Sequence, residues 1–223
     1  MGEEVSDKIP LLPSSNSFTK HFVLVHGVSH GGWCWYKVRT LLEGSGHRVT
    51  CLDLKASGVE PSDPNAVASF DEYNQPLVEL FSSLPVHHKG IPDLSEFGEV
   101  HEFEFGLGRD HPPTSALIKK EFQRKILYQM SPLEDCTLAS MLLRPFPLVI
   151  TEAQTTQGGE DSERVPRIYI KALQDRVLKA EQQEAMIKRW PPTQVYSIDS
   201  DHSPFFSNPF VLSGLLLHVA NSS

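Results

Sequence analysis

The sequence predicts an α/β protein built on a parallel sheet, and three observations carry that reading. An apolar run, HFVLVH at 21–26, reads as a buried strand, and the helix-forming stretch WCWYKVRTLLE at 33–43 follows it. A second apolar run, HRVTCLDL at 47–54, comes next, so the chain opens strand, helix, strand. The same rhythm returns near the other end as RIYIK at 167–171, a helical pattern over 179–190, and QVYSI at 194–198.

The elements between follow in order. Gly44-Ser45-Gly46 stops the first helix, because glycine ends helices at little steric cost. Residues 70–84, FDEYNQPLVELFSSL, predict another helix that Pro76 kinks or interrupts. Residues 97–150 carry short segments of ambiguous period, with a helix expected over 131–143. Residues 151–165 read as a polar loop, and 209–219 as a closing helix. No internal repeat is present.

A chain of 223 residues suits one domain and is long enough to bury a sizeable core. Its formal net charge of -8 argues against nucleic-acid partners and an anionic membrane surface. No apolar run reaches the roughly 18 residues that crossing a bilayer requires. Cys34, Cys51 and Cys136 are widely spaced and odd in number, which fits a reducing, cytoplasmic setting. The polar stretch before residue 20 is expected to be a disordered leader. Its Met1-Gly2-x-x-x-Ser6 pattern matches a myristoylation signal, but Glu3, Glu4 and Asp7 would be repelled by an anionic leaflet.

Asp175 and His202 are the first site candidates. Each falls just past the carboxyl end of an expected strand, where open parallel sheets place their ligands. An acid that fixes a histidine's tautomer, followed by that histidine, supplies the last two members of a Ser…Asp…His triad. The bland reading makes Asp175 a helix cap and His202 a surface histidine. The nucleophile is harder to find. HGVSHGG after the first strand contains Gly27-x-Ser29-x-Gly31, which matches the nucleophile-elbow pattern, and Ser29, Asp175, His202 is the right order.

HFVLVHGVSHGGWCWYKVRTLLEGSGHRVTCLDLKASGV, SPLEDCTLASMLLRPFP, RVPRIYIKALQD and DSDHSPFFSNP resemble the plant methylesterases, which have the α/β-hydrolase fold. Their relatives include hydroxynitrile lyases and polyneuridine aldehyde esterase. The resemblance covers about residues 20–89 and 97–220, and is strongest to the pheophorbidase-like branch. It implies a single domain over 20–220, with a core at 20–96 and 166–220 and a helical cap at 97–165. It implies carboxyl methylesterase chemistry on a hydrophobic plant metabolite, such as pheophorbide or a hormone ester, with no cofactor. It also assigns HGVSHGG to the oxyanion loop: the Val28 N–H helps bind the oxyanion, Ser29 faces the pocket and His30 is structural.

The family's own elbow, Gly-His-Ser-x-Gly-Gly after a buried strand, is expected just beyond LPVHHK and is not there. No G-x-S-x-G lies between Lys89 and the C-terminus, and Ser95 lacks flanking glycines. An internal deletion of roughly 40 residues at about Lys89/Gly90, from alternative splicing or a truncated copy, accounts for the pattern. It would remove two central strands and the helix between them. The 21–26 and 167–171 strands would then pair with each other or keep open edges.

The chain is therefore expected to be either an impaired esterase or a non-catalytic binding or partner protein, with association to a full-length homologue as one outcome. Other chemistries are weaker. His26, His30, His87 and His88 lack the carboxylate or cysteine company a metal needs. Trp33, Trp35, Tyr36, Phe205 and Phe206 read as packing or pocket wall. A lyase would need a lysine after the histidine, where Ser203 stands.

Overall fold

A computed structural model describes residues 20–80, 94–152 and 165–222. The expected leader with its myristoylation pattern, the join at Lys89/Gly90 with His87 and His88, and most of the 151–165 loop lie outside them.

The apolar run after Lys20 forms β1 (His21–Val25), parallel to β2 (Arg48–Leu52), with Leu24 opposite Cys51. Between them Gly32–Trp35 is a 3-10 turn leading into α1 (Tyr36–Gly44). α1 buries Val38 and Leu42, spaced four apart on one face. α2 (Phe70–Leu80) runs through Pro76 rather than breaking there.

Downstream, β6 (Ile168–Ala172) pairs parallel with β7 (Gln194–Ile198) across α6 (Ala180–Arg189). Buried Gln183 clips α6 to β6: its Nε2 donates to the Ala172 carbonyl at 2.9 Å, and its Oε1 accepts from the Ala172 N–H at 3.2 Å. The chain ends in α7 (Pro204–Ser207) and α8 (Pro209–Ser222).

The middle of the chain is less helical than expected. β3 (His101–Glu104), β4 (Ser115–Ile118) and β5 (Phe146–Pro147) make a small antiparallel sheet. Around it lie α3 (Lys120–Ile126), α4 (Leu133–Leu142) and α5 (Val149–Glu152). These strands have two to four residues, too short to show a period in the sequence.

The two parallel pairs do not close on each other, contrary to one expected outcome of the shortened sheet. Among the described residues, no ladder joins β1 or β2 to β6 or β7. Helices hold them instead. α1 packs on α8, and one apolar cluster runs from Leu24 and Val49 through Val38, Leu42, Phe206 and Leu212 to Ala172 and Ile198. The consequence is visible in the strands. Only Leu24 of β1 and only Ala172 of β6 are buried, although strands inside a parallel sheet are normally covered on both faces.

Candidate active site

The β6–β7 pairing continues past the strands and sets the geometry of the site. The Leu173 N–H donates to the Ile198 carbonyl at 3.0 Å, and the Gln174 N–H to the Ser200 carbonyl at 2.9 Å. The next side chains, Asp175 and His202, therefore emerge side by side. The carboxylate oxygens of Asp175 lie 3.0 and 3.1 Å from His202 Nδ1. Oδ1 also accepts the N–H groups of Val177 and Leu178, at 2.7 and 2.9 Å. Asp175 caps its turn, as the bland reading expects, and the same turn fixes its carboxylate beside the histidine.

A carboxylate accepts only, so Nδ1 carries the proton and Nε2 keeps its lone pair. Nε2 makes no hydrogen bond among the described residues, and the His202 side chain is 29% exposed against 6% for Asp175. This is a base aimed at solvent with its tautomer set.

Asp201 was missed by the sequence reading. It is fully buried. Its Oδ2 accepts the Met130 N–H and the Ser131 hydroxyl, both at 2.9 Å, and its Oδ1 accepts the Ser203 N–H at 2.9 Å. It anchors the loop on both sides of His202. The available signal was the second aspartate of DSDHSPFF, directly before the histidine.

The HGVSHGG loop faces the same region from the end of β1. His26 Nε2 accepts the Leu54 N–H at 3.1 Å, so its Nδ1–H donates to the Gly27 carbonyl at 2.7 Å. The His30 Nδ1–H donates to the Val28 carbonyl at 3.0 Å, and its Nε2 accepts the Tyr128 hydroxyl at 2.7 Å. Burial pushes the His30 pKa down to about 4 and lowers that of His26. Both rings are neutral at pH 7 and hold the loop. Among the described residues no cluster fit for a metal ion occurs.

The glycines of the motif serve different ends. A Cβ on Gly31 would meet Gly58 Cα at 2.4 Å, and one on Gly32 would crowd Cys51 backbone at 3.1 Å. A Cβ on Gly27 would meet nothing within 4 Å. The His30 N–H closes a turn on the Gly27 carbonyl at 3.3 Å, which puts Ser29 at φ 65°, a left-handed position that costs a serine about 1–2 kcal/mol. The Ser29 carbonyl is held by the Arg144 N–H at 3.0 Å. Its hydroxyl has no hydrogen-bond partner among the described residues, so Ser29 and the Asp175–His202 pair are not joined as a triad. Val28 is 46% exposed and its N–H is likewise unpaired. His30 ties this loop to the His202 loop through its ring contact with Phe205, at 5.7 Å between centroids.

Trp33, Trp35 and Phe205 with Phe206 pack in the core, as expected of them. Ser95 opens a 3-10 turn, Ser95–Phe97. A cavity of about 410 Å³ on α2, lined by Asp71, Glu72, Asn74, Gln75 and Val78, contains neither member of the dyad.

Comparison with protein-family models gives no match. Comparison with individual proteins does. The chain is 45% identical to methylesterase 17 of Arabidopsis thaliana, covering 99% of this chain and 98% of that protein. It is 37% identical to pheophorbidase of Raphanus sativus, over 90% and 94%. The chain belongs to the plant methylesterase family. Among solved structures, the Arabidopsis methylesterase MES16 superposes with a TM-score of 0.81 at 36% identity, covering 92% of this chain and all of that one.

This family member therefore has the α/β-hydrolase fold, and among the described residues its parallel strands form two separate pairs. The match to methylesterase 17 runs over 273 positions against 223 residues here, so at least 50 positions of the alignment have no counterpart in this chain.

Proposed function

We propose that the chain is a shortened carboxyl methylesterase that takes the methyl ester of a hydrophobic plant metabolite but forms no acyl-enzyme. The observation that carries this is the Asp175–His202 pair, with Nε2 free and no serine hydroxyl bonded to it among the described residues. Asp175 orients the ring and His202 is the base. The Val28 N–H meets the carbonyl oxygen, and Ser29 lines the pocket. The missing positions are assigned to the Lys89/Gly90 join, where the family's elbow serine and the second oxyanion donor belong. The core spans 20–96 and 166–220, and the cap spans 97–165. A pheophorbide-type ester is the ligand class suggested by the pheophorbidase relative, and the unpaired strands leave association with a full-length homologue open.

No helix among the described residues is long and apolar enough to cross a membrane. A cytoplasmic setting is assigned from the three free cysteines.

Purified protein is to be assayed with p-nitrophenyl acetate and methyl esters, with and without a serine-directed phosphonate. Loss of triad serines leaves only about 10³–10⁴-fold catalysis over water, so turnover far below that of an ordinary esterase is expected. Turnover at an ordinary esterase rate, abolished by the phosphonate, would overturn the reading. Ser29→Ala then decides whether Ser29 is the labelled residue, with Ser95 next.

A second reading, a ligand-binding protein that keeps pocket and cap, is favoured by the same free Nε2. Quenching of Trp33 and Trp35 fluorescence by the methyl ester, without turnover, would support it.

A further inference from the structure

We propose that the Asp175–His202 dyad hydrolyses aryl esters by direct attack of water, with no covalent intermediate. The inference rests on the preceding reading that an ester is held beside His202, and it adds a reaction the site still supports.

Three features carry it. The Nδ1–H is locked on Asp175, so the free lone pair lies on Nε2, and that side chain is exposed enough for water to reach it. No protein hydroxyl occupies that lone pair among the described residues. Among the described residues the Val28 N–H has no partner, and it lies on a loop that His30 and Phe205 tie to the His202 loop.

The step balances without any other reactant. His202 Nε2 takes one proton from a water molecule as the water oxygen bonds to the ester carbonyl carbon. The carbonyl π-pair moves onto its oxygen, which the Val28 N–H stabilises. When the carbonyl re-forms, the bond to the leaving oxygen breaks with its electron pair. The products are a carboxylic acid and an alcohol or phenol, and the proton on Nε2 goes to the leaving oxygen or to solvent. A phenolate leaves without protonation, whereas methoxide must collect the Nε2 proton before it departs. The substrate class is therefore aryl esters, even though the family name points to methyl esters. General-base assistance of this kind is worth roughly 10²–10⁴-fold.

The test uses the full chain with 4-nitrophenyl acetate. A steady release of nitrophenol roughly 10²–10⁴-fold above buffer is expected, with no burst. No covalent adduct should form with a fluorophosphonate, read by intact mass. His202→Gln should drop the rate to the buffer level. Circular dichroism compares the fold of that variant with wild type, and Asp175→Asn supplies a second loss through the wrong tautomer. A one-equivalent burst, a phosphonate adduct, or an unchanged rate in folded His202→Gln would overturn the proposal. Binding of a non-hydrolysable aryl ketone, read by tryptophan fluorescence, separates the two ideas. Binding without hydrolysis defeats the water mechanism alone. Neither binding nor hydrolysis defeats the ester-site reading as well.

Discussion

Replacing Gly31 with alanine tests how the loop before the dyad is held. Gly31 has φ −156° and ψ 174°, extended backbone that any residue adopts, so the cost is purely steric. The added Cβ would stand 2.4 Å from Gly58 Cα and 2.7 and 2.8 Å from the Trp33 indole. Trp33 has some freedom to swing, but Gly58 Cα has none. Its neighbour Val59 donates to Asp53 Oδ2 at 3.1 Å, and Gly32 donates to Asp53 Oδ1 at 2.6 Å. Parting the loops therefore stretches a charge-assisted bond worth about 1.5–3 kcal/mol, in addition to overpacking at about 1–3 kcal/mol. With partial relaxation we expect a loss of about 2–4 kcal/mol, which is roughly 30- to 900-fold in the population of the open state. Native-state proteolysis reads that population directly, even if the chain lacks a sharp melt. Gly27→Ala is the control, since its Cβ meets nothing within 4 Å, and should stay within about 0.5 kcal/mol of wild type. Equal protease resistance in Gly31→Ala and wild type would refute the packing argument, as would a Gly27→Ala variant that is just as fragile.

Stability should fall on acidification. The unfolded His30 titrates near 6.5 and the folded one near 4, so the unfolded chain binds more protons between those values. The contribution is complete above pH 6.5 and is lost as pH falls towards 4, by about 3 kcal/mol; equal protease resistance at pH 7 and 4.5 would contradict this. Asp201→Ala strands three donors at Met130, Ser131 and Ser203, each worth about 1–3 kcal/mol. Protease resistance should drop more than tenfold, and an unchanged value would show that the His202 loop is held elsewhere. The open strand edges should give strong binding of a hydrophobic dye at neutral pH, self-association and a broad melt. A monodisperse monomer with a sharp transition above about 60 °C would show the split sheet to be stable.

The strands and the dyad were legible because they depend on local signals. HFVLV, RIYIK and QVYSI are apolar runs of strand length, and Asp175 and His202 follow two of them at a distance that the strand pairing converts into contact. The β3–β5 sheet was not legible, because Phe146–Pro147 is two residues long and SALI at 115–118 is fixed by neighbours distant in sequence. Asp201 was passed over for the same reason: its partners at 130 and 131 lie some seventy residues away. The separation of the two strand pairs was also hidden, since it is settled by contacts between elements distant in sequence, α1 against α8 among them.

The Asp175–His202 contact persists beside an interrupted sheet because its supports are local. Asp175 and His202 depend on β6, β7, the Asp175 turn and Asp201, all of which lie in or against the C-terminal half. The HGVSHGG loop depends on β1, β2, His26 and Asp53 in the other half. Each half builds its own side of the site. Among the described residues, His30, Tyr128, the packing of Trp33, Trp35 and Tyr36 on Phe205 and Phe206, and the α1–α8 interface hold the two sides together. The buried indole N–H groups of Trp33 and Trp35, in this same region, have no acceptor, at a cost of about 1–3 kcal/mol each. The seam between the HGVSHGG loop and the Asp175–His202 pair thus carries two unsatisfied buried donors. Loosening that seam should lower the aryl-ester rate before it exposes either half-sheet, because catalysis needs both sides in register, whereas each strand pair needs only its own helices.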